Sequence, residues 1–305
     1  MSLEIKKIMI ALDLSDMDQQ LFEYALILSE NIKLDHIYLV HIVKSFDDLD
    51  ESEKEGDPSL PVDEGMKRLI SEKVPAELSK RAEIHIEIHE GPTIKSLLRW
   101  SKFKDVDLLV IGHKQDKYHE DYLPAQVANF SKCSVTLVPE VFPKELRRIL
   151  IPVDFSEHAG FAVKASLFVS KHKEENPEIK LINIYEVPSG YHTIGKSFDE
   201  FANIIRTQHE KEFEDFVKKN DFEKEELKCE YILDQKGNIA QAIADYAQEN
   251  EVDVIVIGAK GRTHLASMLI GSVAKKLIQI SSRLPVVVIK QKEDEYNLID
   301  GLWDI

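Results

Sequence analysis

The chain repeats itself. KKIMIALDLSD near the start returns as RRILIPVDFSE in the middle, and the segments that follow come back in the same order. Asp13 and Asp154 stand at matching places, each at the C-terminal end of an apolar strand. Each is followed by a serine placed to cap a helix, Ser15 or Ser156. Second strands come next, HIYLVHIV and IKLINIYEV, then third strands, AEIHIEIHEG and LKCEYILDQKG, which close on Gly91 and Gly237. Those glycines open the helical patterns PTIKSLLRWSKF and NIAQAIADYAQEN. The fourth strands, VDLLVIG and VDVIVIG, end at Gly112 and Gly258; a loop, a helix and the strands SVTLVP and PVVVIK complete the halves.

Each half reads as five short apolar strands alternating with four helices. That pattern specifies an α/β fold: two tandem five-stranded parallel-sheet domains with helices on both faces. Pro139 and Pro143, in VPEVFPKELRR, mark the boundary and divide the chain into residues 1–142, 143–290 and an acidic tail, 291–305. Ligands of open parallel sheets lie beyond the carboxyl ends of the strands, where strand order reverses. Asp154 and Gly258 both stand at such ends. If the first and fourth strands are neighbours, the two converge on one crevice.

The formal net charge of −16 argues against non-specific nucleic-acid binding, in which a basic face supplies most of the affinity. A polyanion bound here must be held by local dipoles, because the field of the whole chain repels it. No apolar run approaches the ~18 residues of a membrane span. MSLEIKKIMIALDLSD reads as a first strand and not as a signal peptide. A cytoplasmic protein with no nucleic-acid or membrane partner is expected. Cys133 and Cys229 lie far apart, without CxxC spacing, and are expected to be buried reduced thiols.

The stretch IGAKGRTHLASMLIGS, Ile257 to Ser272, places glycines at 258, 261 and 271, with Ser272 after the last. Glycine lets backbone N–H groups come close to a ligand and tolerates positive φ. A helix opening at Gly271–Ser272 adds unpaired N–H donors and the positive end of its dipole. Together they make a seat for a polyphosphate. The alternative is a ligand-free scaffold whose glycines serve only a turn and a helix cap.

The spacing G-x2-G-x9-G-[ST] at Gly258, Gly261, Gly271 and Ser272 resembles that of the universal stress protein family, and IPVDFSE agrees with it independently. The resemblance covers the whole chain as two copies in tandem. It implies an adenine nucleotide, ATP with or without Mg²⁺, in the second domain. By that resemblance Asp154 meets the base and ribose side, Pro152, Val153 and Ile184 line the adenine slot, and Ile257 and Gly258 hold the ribose region. Gly261, Gly271, Ser272 and Val273 hold the phosphates through backbone N–H groups, the Ser272 hydroxyl assisting; by their own chemistry Lys260, a point charge, and Arg262, a fork that suits phosphate oxygens, can screen the charge. It also implies that the last strands, SVTLVP and PVVVIK, pair as subunits of the family do, making an internal pseudo-dimer; further homodimerisation stays open. An ordered 259–270 loop would present a surface to a protein partner.

The first half departs from the pattern. Gln115 replaces the second glycine, and either register of the last pair, Ala125–Gln126 or Asp121–Tyr122, lacks glycine and a small hydroxyl. This half is expected to be structural. Gly190 to Ser197, GYHTIGKS, formally matches G-x4-G-K-[ST], which would make an NTPase or kinase using Lys196 and Ser197. Against this, VDVIVIGA ends without an acidic metal ligand. In the plainer reading Ser197 caps the next helix with Glu200. No catalytic residues are assigned, and any ATP hydrolysis is expected to be slow.

His85, Glu87 and His89 share one face of AEIHIEIHE, because strand side chains alternate. They could bind a metal, but a solvated edge-strand face explains them more simply, and no metal site is assigned. His41 matches Asn183 and is placed near the first-half crevice. Residues 44–62 read as a solvated acidic loop, and the tail with Tyr296 and Trp303 as docking on its own protein.

Overall fold

The computed structural model describes residues 4–47, 61–114, 123–171, 176–191, 195–261, 270–281 and 283–291. The chain separates into two compact units, Met1–Glu145 with Lys290–Ile305, and Leu146–Ile289. Most of the acidic 44–62 stretch and nearly all of the tail lie outside the described residues.

The first unit runs β1 (Lys7–Leu12), α1 (Met17–Asn31), β2 (His36–Val43), α2 (Val62–Lys73), α3 (Ala76–Arg81), β3 (Glu83–Glu90), α4 (Thr93–Phe103), β4 (Leu108–His113), α5 (Leu123–Phe130) and β5 (Ser134–Pro139). Its strands are parallel, in the order β3-β2-β1-β4-β5. It carries one helix more than the sequence pattern predicts. Pro75 lacks an N–H and Val74 before it is extended (φ −67°, ψ 125°), so one helical segment breaks into α2 and α3.

The second unit runs β6 (Arg148–Pro152), α6 (Glu157–Ser170), β7 (Glu178–Tyr185), α7 (Phe198–Lys219), β8 (Cys229–Leu233), α8 (Ile239–Glu249), β9 (Val254–Gly258), α9 (Ser272–Ile280) and β10 (Val286–Ile289). Its parallel strands take the order β8-β7-β6-β9-β10. The central strands are continuous apolar runs because helices cover both of their faces; Leu108 to Ile111 in β4 and Val254 to Ile257 in β9 are all buried.

The same carboxylate anchors both sheets. Asp107, just before β4, accepts the N–H groups of Lys6 and Lys7, each at 2.8 Å. Asp253, just before β9, accepts those of Arg147 and Arg148, each at 2.7 Å. The start of the first strand is thereby tied to the start of the fourth in each unit. At the opposite ends, β1 and β6 exit through left-handed residues, Leu14 (φ 61°) and Phe155 (φ 64°). A bulky side chain adopts this conformation only where its surroundings hold it there. Asp13 and Asp154 close the two turns by accepting the N–H groups of Ser15 and Ser156, both at 3.1 Å. The Phe155 ring adds contacts with His209, Phe213 and Phe216, at centroid distances of 6.1, 6.1 and 5.9 Å.

The two serines differ. Ser156 caps α6, accepting from the Ala159 N–H at 3.3 Å. Ser15 accepts from the Met17 N–H at 3.2 Å, while the N-cap of α1 is Asp16, with no side-chain cap bond. Buried Asp18 serves this turn instead, accepting the Asp13 and Leu14 N–H groups at 3.1 and 3.0 Å. The cysteines differ too: Cys133 is buried, but Cys229 opens the edge strand β8 and is only half-buried. Burial pushes its thiol up to about 12, which leaves it protonated at neutral pH.

Burial pushes the Asp18 carboxyl up to about 6 from its ordinary 3.8, and repulsion from Asp13 adds to this, against the two backbone hydrogen bonds. A folded-state value above the unfolded one means that protonation favours the fold. The contribution is complete below pH ~4 and is lost as pH rises through about 6. Asp18→Asn keeps an acceptor oxygen and removes the charge. Its urea midpoint should therefore show a flatter pH dependence between 4 and 6 than the parent, with the largest relative gain at pH 7.

Candidate functional site

β6 and β9 are neighbours, with Ile149 beside Val254 and Leu150 beside Ile255. From β6 the chain moves outward to β7 and β8, and β9 is followed on the other side by β10. Strand order therefore reverses between β6 and β9, and a cavity of about 250 Å³ opens at their carboxyl ends. Pro152, Val153 and Asp154 enter it from the end of β6, Ile184 from β7, and Ile257 and Gly258 from β9. Gly261, Gly271, Ser272 and Val273 close it from the loop and the start of α9. The sequence-predicted residues thus meet in one place, except Arg262, which lies outside the described residues, as does the rest of the 262–269 loop.

Sequence reasoning missed part of the apolar wall. Ile182 stands two residues before Ile184 and shares its face of β7; Ile239 and Ile243, one helical turn apart on α8, also line the cavity, with Ala159 and Ala274. The i, i+2 and i, i+4 spacings were the available signal. Among the described lining residues Lys260 is the one cation and Asp154 the one carboxylate.

Each glycine has its own reason. A Cβ on Gly258 would stand 2.6 Å from the backbone carbon and oxygen of His158, so the first turn of α6 needs that residue bare. A Cβ on Gly261 would stand 2.7 Å from the Asp154 carboxylate. Gly271 corrects the expectation that its amide holds phosphate: its N–H donates to the Ala259 carbonyl at 2.6 Å. Further backbone donors come from α9. Ser272, Val273 and Ala274 are its first three residues, no helical carbonyl lies upstream of their N–H groups, and all three line the cavity.

The first unit has a crevice at the matching place, about 660 Å³, lined in part by Asp13, Met17, His41, Gly112, Lys114 and Pro124. Lys114, the counterpart of Lys260, is spent on an ion pair with Asp13 (2.7 Å) and a bond to the Ser15 hydroxyl (2.8 Å). Burial would raise the Asp13 carboxyl, but hydrogen bonds from Lys114 and Ser15 outweigh it and hold the group below its usual range. At the start of α5, Pro124 stands second, as Val273 does in α9, and offers no N–H. His41 accepts the predicted place, its Nδ1 3.0 Å from the Leu12 carbonyl, just as the Asn183 amide donates to the Val153 carbonyl at 2.8 Å.

Ser197 is the N-cap of α7 in a reciprocal capping box with Glu200, and Lys196 does not line the cavity. The trio His85, Glu87 and His89 does not stay together. Glu87 is taken by Lys104 and by His89, whose ring lies 3.8 Å over Trp100, while His85 turns toward His36.

A parallel sheet whose strand order reverses over a crevice defines the class: a doubly wound α/β protein, with the same strand order in both units. The sequence profile of the universal stress protein family matches residues 4–139 and again 145–290, and the chain belongs to that family. Universal stress protein MJ0577 of Methanocaldococcus jannaschii is 31% identical over 157 residues, which span 48% of this chain and 96% of that one. Universal stress protein YxiE of Bacillus subtilis is 26% identical over 151 residues, 47% of this chain and 98% of its own. Two solved structures match nearly end to end and share the fold. A universal stress protein from Archaeoglobus fulgidus has TM-score 0.60 and 17% identity, covering 96% of this chain and 99% of its own. The functionally unknown protein PA1789 from Pseudomonas aeruginosa has TM-score 0.68 and 15% identity, covering 96% and 95%. Among the described residues no helix is long and apolar enough to cross a membrane.

Gly112 and Gly258 separate packing from sequence pattern. A Cβ on Gly112 would meet the Met17 side chain, which can reorient, whereas one on Gly258 meets backbone. Gly258→Ala should cost about 1–3 kcal/mol in urea unfolding, and Gly112→Ala distinctly less.

Proposed function

We propose that the protein is a stress-response regulator that holds ATP, or a related adenine nucleotide, in the crevice of its second unit. The observation that carries this reading is the first turn of α9: its first three residues, whose N–H groups have no upstream helical carbonyl, line the same cavity as an apolar slot and an aspartate. An adenine fits the slot between Val153, Ile182 and Ile184, Asp154 accepts from base or ribose hydroxyl, and the phosphates take the amides of Ser272 to Ala274. Lys260 supplies the positive charge at the phosphate end. In the first unit the corresponding lysine, Lys114, is paired with Asp13, the corresponding amide is absent at Pro124, and the unit serves a structural role. Nucleotide binding acts as the regulatory input by favouring the conformer in which the start of α9 is set for phosphate.

Calorimetric titration of the full chain with ATP, with and without Mg²⁺, tests this. Val273→Pro copies Pro124 and removes one donor at a helix position that tolerates proline. A hydrogen bond to a charged group contributes ~1.5–3 kcal/mol, so affinity should fall at least about tenfold, with circular dichroism unchanged. Gly261→Val should weaken binding as well, and Lys196→Ala should leave it intact. ATP bound equally well by Val273→Pro and Gly261→Val would place the nucleotide elsewhere, and no binding by the parent would leave the ligand-free scaffold.

A further inference from the structure

We infer that His36, Glu83 and His85 form a binding site for a zinc-class divalent transition metal on the outer strand pair of the first unit. Register puts these side chains together. In the β2–β3 pair His36 stands beside Glu83 and Tyr38 beside His85. Alternation then gives all four one face. Three of the four corners of this patch carry metal-ligating groups, and the fourth is the wall that holds them. The His85 ring stacks on Tyr38 at 4.9 Å and 19°, and the His36 ring lies 6.1 Å from it at 29°.

The donor atoms converge. His36 Nδ1 is 3.1 Å from His85 Nε2 and 3.4 Å from Glu83 Oε2, and His85 Nε2 is 3.6 Å from Glu83 Oε1. One candidate ligand atom from each residue lies within 4.8 Å of the others. An ion with tetrahedral bonds of about 2.0–2.2 Å holds its ligand atoms roughly 3.3 Å apart. The two ring nitrogens stand close to that value, and the Glu83 carboxylate, which meets each ring with a different oxygen, needs only a small rotation to bring one oxygen to both. A solvated edge-strand face requires no such convergence, since its polar side chains can point outward independently.

The chemistry selects the ion. Two imidazoles and one carboxylate suit zinc, cobalt, nickel or copper, whereas magnesium and calcium take oxygen ligands. Neutral imidazoles with one carboxylate leave a single positive charge on the bound complex. The side chains of His36, His85 and Glu83 are 33%, 31% and 64% exposed, so the ion has a path in, and a water completes the fourth position. Without metal the two imidazoles share a hydrogen bond. The donating ring takes its other tautomer when the ion arrives, so binding to neutral rings releases no proton. Bound metal would clasp the edge strand β3 to β2, and the clasp is independent of the nucleotide reading.

The test uses the full chain, stripped with chelator and titrated with ZnCl₂ by calorimetry, with Co²⁺ as a spectroscopic probe. One equivalent should bind, cobalt should give the visible absorption of a tetrahedral site, and zinc should raise the melting temperature by mass action. His36→Gln/His85→Gln should lose that equivalent. Glu83→Gln, at an exposed position, should lower affinity at least about tenfold, since even outer-shell partners of a metal contribute 10–100-fold. His89→Gln, at a residue engaged by Glu87 and Trp100, should bind as the parent does. The proposal is overturned if the parent takes up no equivalent, or if Glu83→Gln and the double variant, folded by circular dichroism, bind zinc as the parent does.

Discussion

The backbone of the first turn of α6 occupies the space where a side chain on Gly258 would stand, 2.6 Å from an ideal Cβ. That contact lets the helix start directly over the end of β9. It requires the chain to leave β6 in a tight turn, and the turn requires Phe155 in a left-handed conformation (φ 64°). The ring packing of Phe155 against α7 and the Ser156 N–H bond to Asp154 hold the turn in place. Asp154 thereby lines the cavity beside Gly261, where an added Cβ would meet the Asp154 side chain and not backbone. The polar end of the crevice follows from packing before any ligand is considered.

The first unit keeps this scaffold and presents different groups at its crevice. Its sheet has the same order, its aspartate anchor is Asp107 where the second has Asp253, and Leu14 repeats the left-handed turn. His41 and Asn183, chemically different, both bond the carbonyl before the turning aspartate. The difference lies in donors. Lys114 is committed to Asp13, and Pro124 cannot donate where Val273 can. The first crevice is nonetheless the larger, about 660 Å³ against about 250 Å³. Room alone does not select a phosphate; it needs aligned amides and a free cation, because desolvating an anion without partners is far more costly than leaving a cavity wet.

Most of the fold was legible because it rests on periodicity. Short apolar runs between helix-length segments fix parallel strands, and the order of elements repeats. The split between α2 and α3, announced by Pro75, makes the one helix beyond the four that the strand–helix alternation predicts for that half. At the site, residues at strand ends and in the glycine spacing were legible, since the chain itself places them. Ile239 and Ile243 depend on how α8 lies over the crevice, which the sequence expresses only as an apolar stripe. The Gly271 amide was misjudged because its partner, the Ala259 carbonyl, is brought near by the loop closing on itself. The histidines were grouped along one strand; their true grouping runs across two, through a register that no single segment contains.

Charge links the two units' chemistry. With a net charge of −16, the chain repels anions and attracts cations at long range. A phosphate site on such a protein cannot rest on a basic surface; the second crevice is lined by one lysine and by the first residues of a helix. Dipoles at contact distance are screened little by salt, whereas the long-range repulsion is screened within about 8–10 Å at ordinary ionic strength. In the proposed nucleotide site, geometric specificity for a phosphate chain would then outweigh any general affinity for anions. A divalent cation meets the opposite situation. The field favours its approach, Glu83 neutralises half of its charge, and two imidazoles already in hydrogen-bond contact select it by ligand type. The net negative charge thus opposes indiscriminate polyanion binding and favours cations, so both proposed sites would draw their selectivity from short-range geometry.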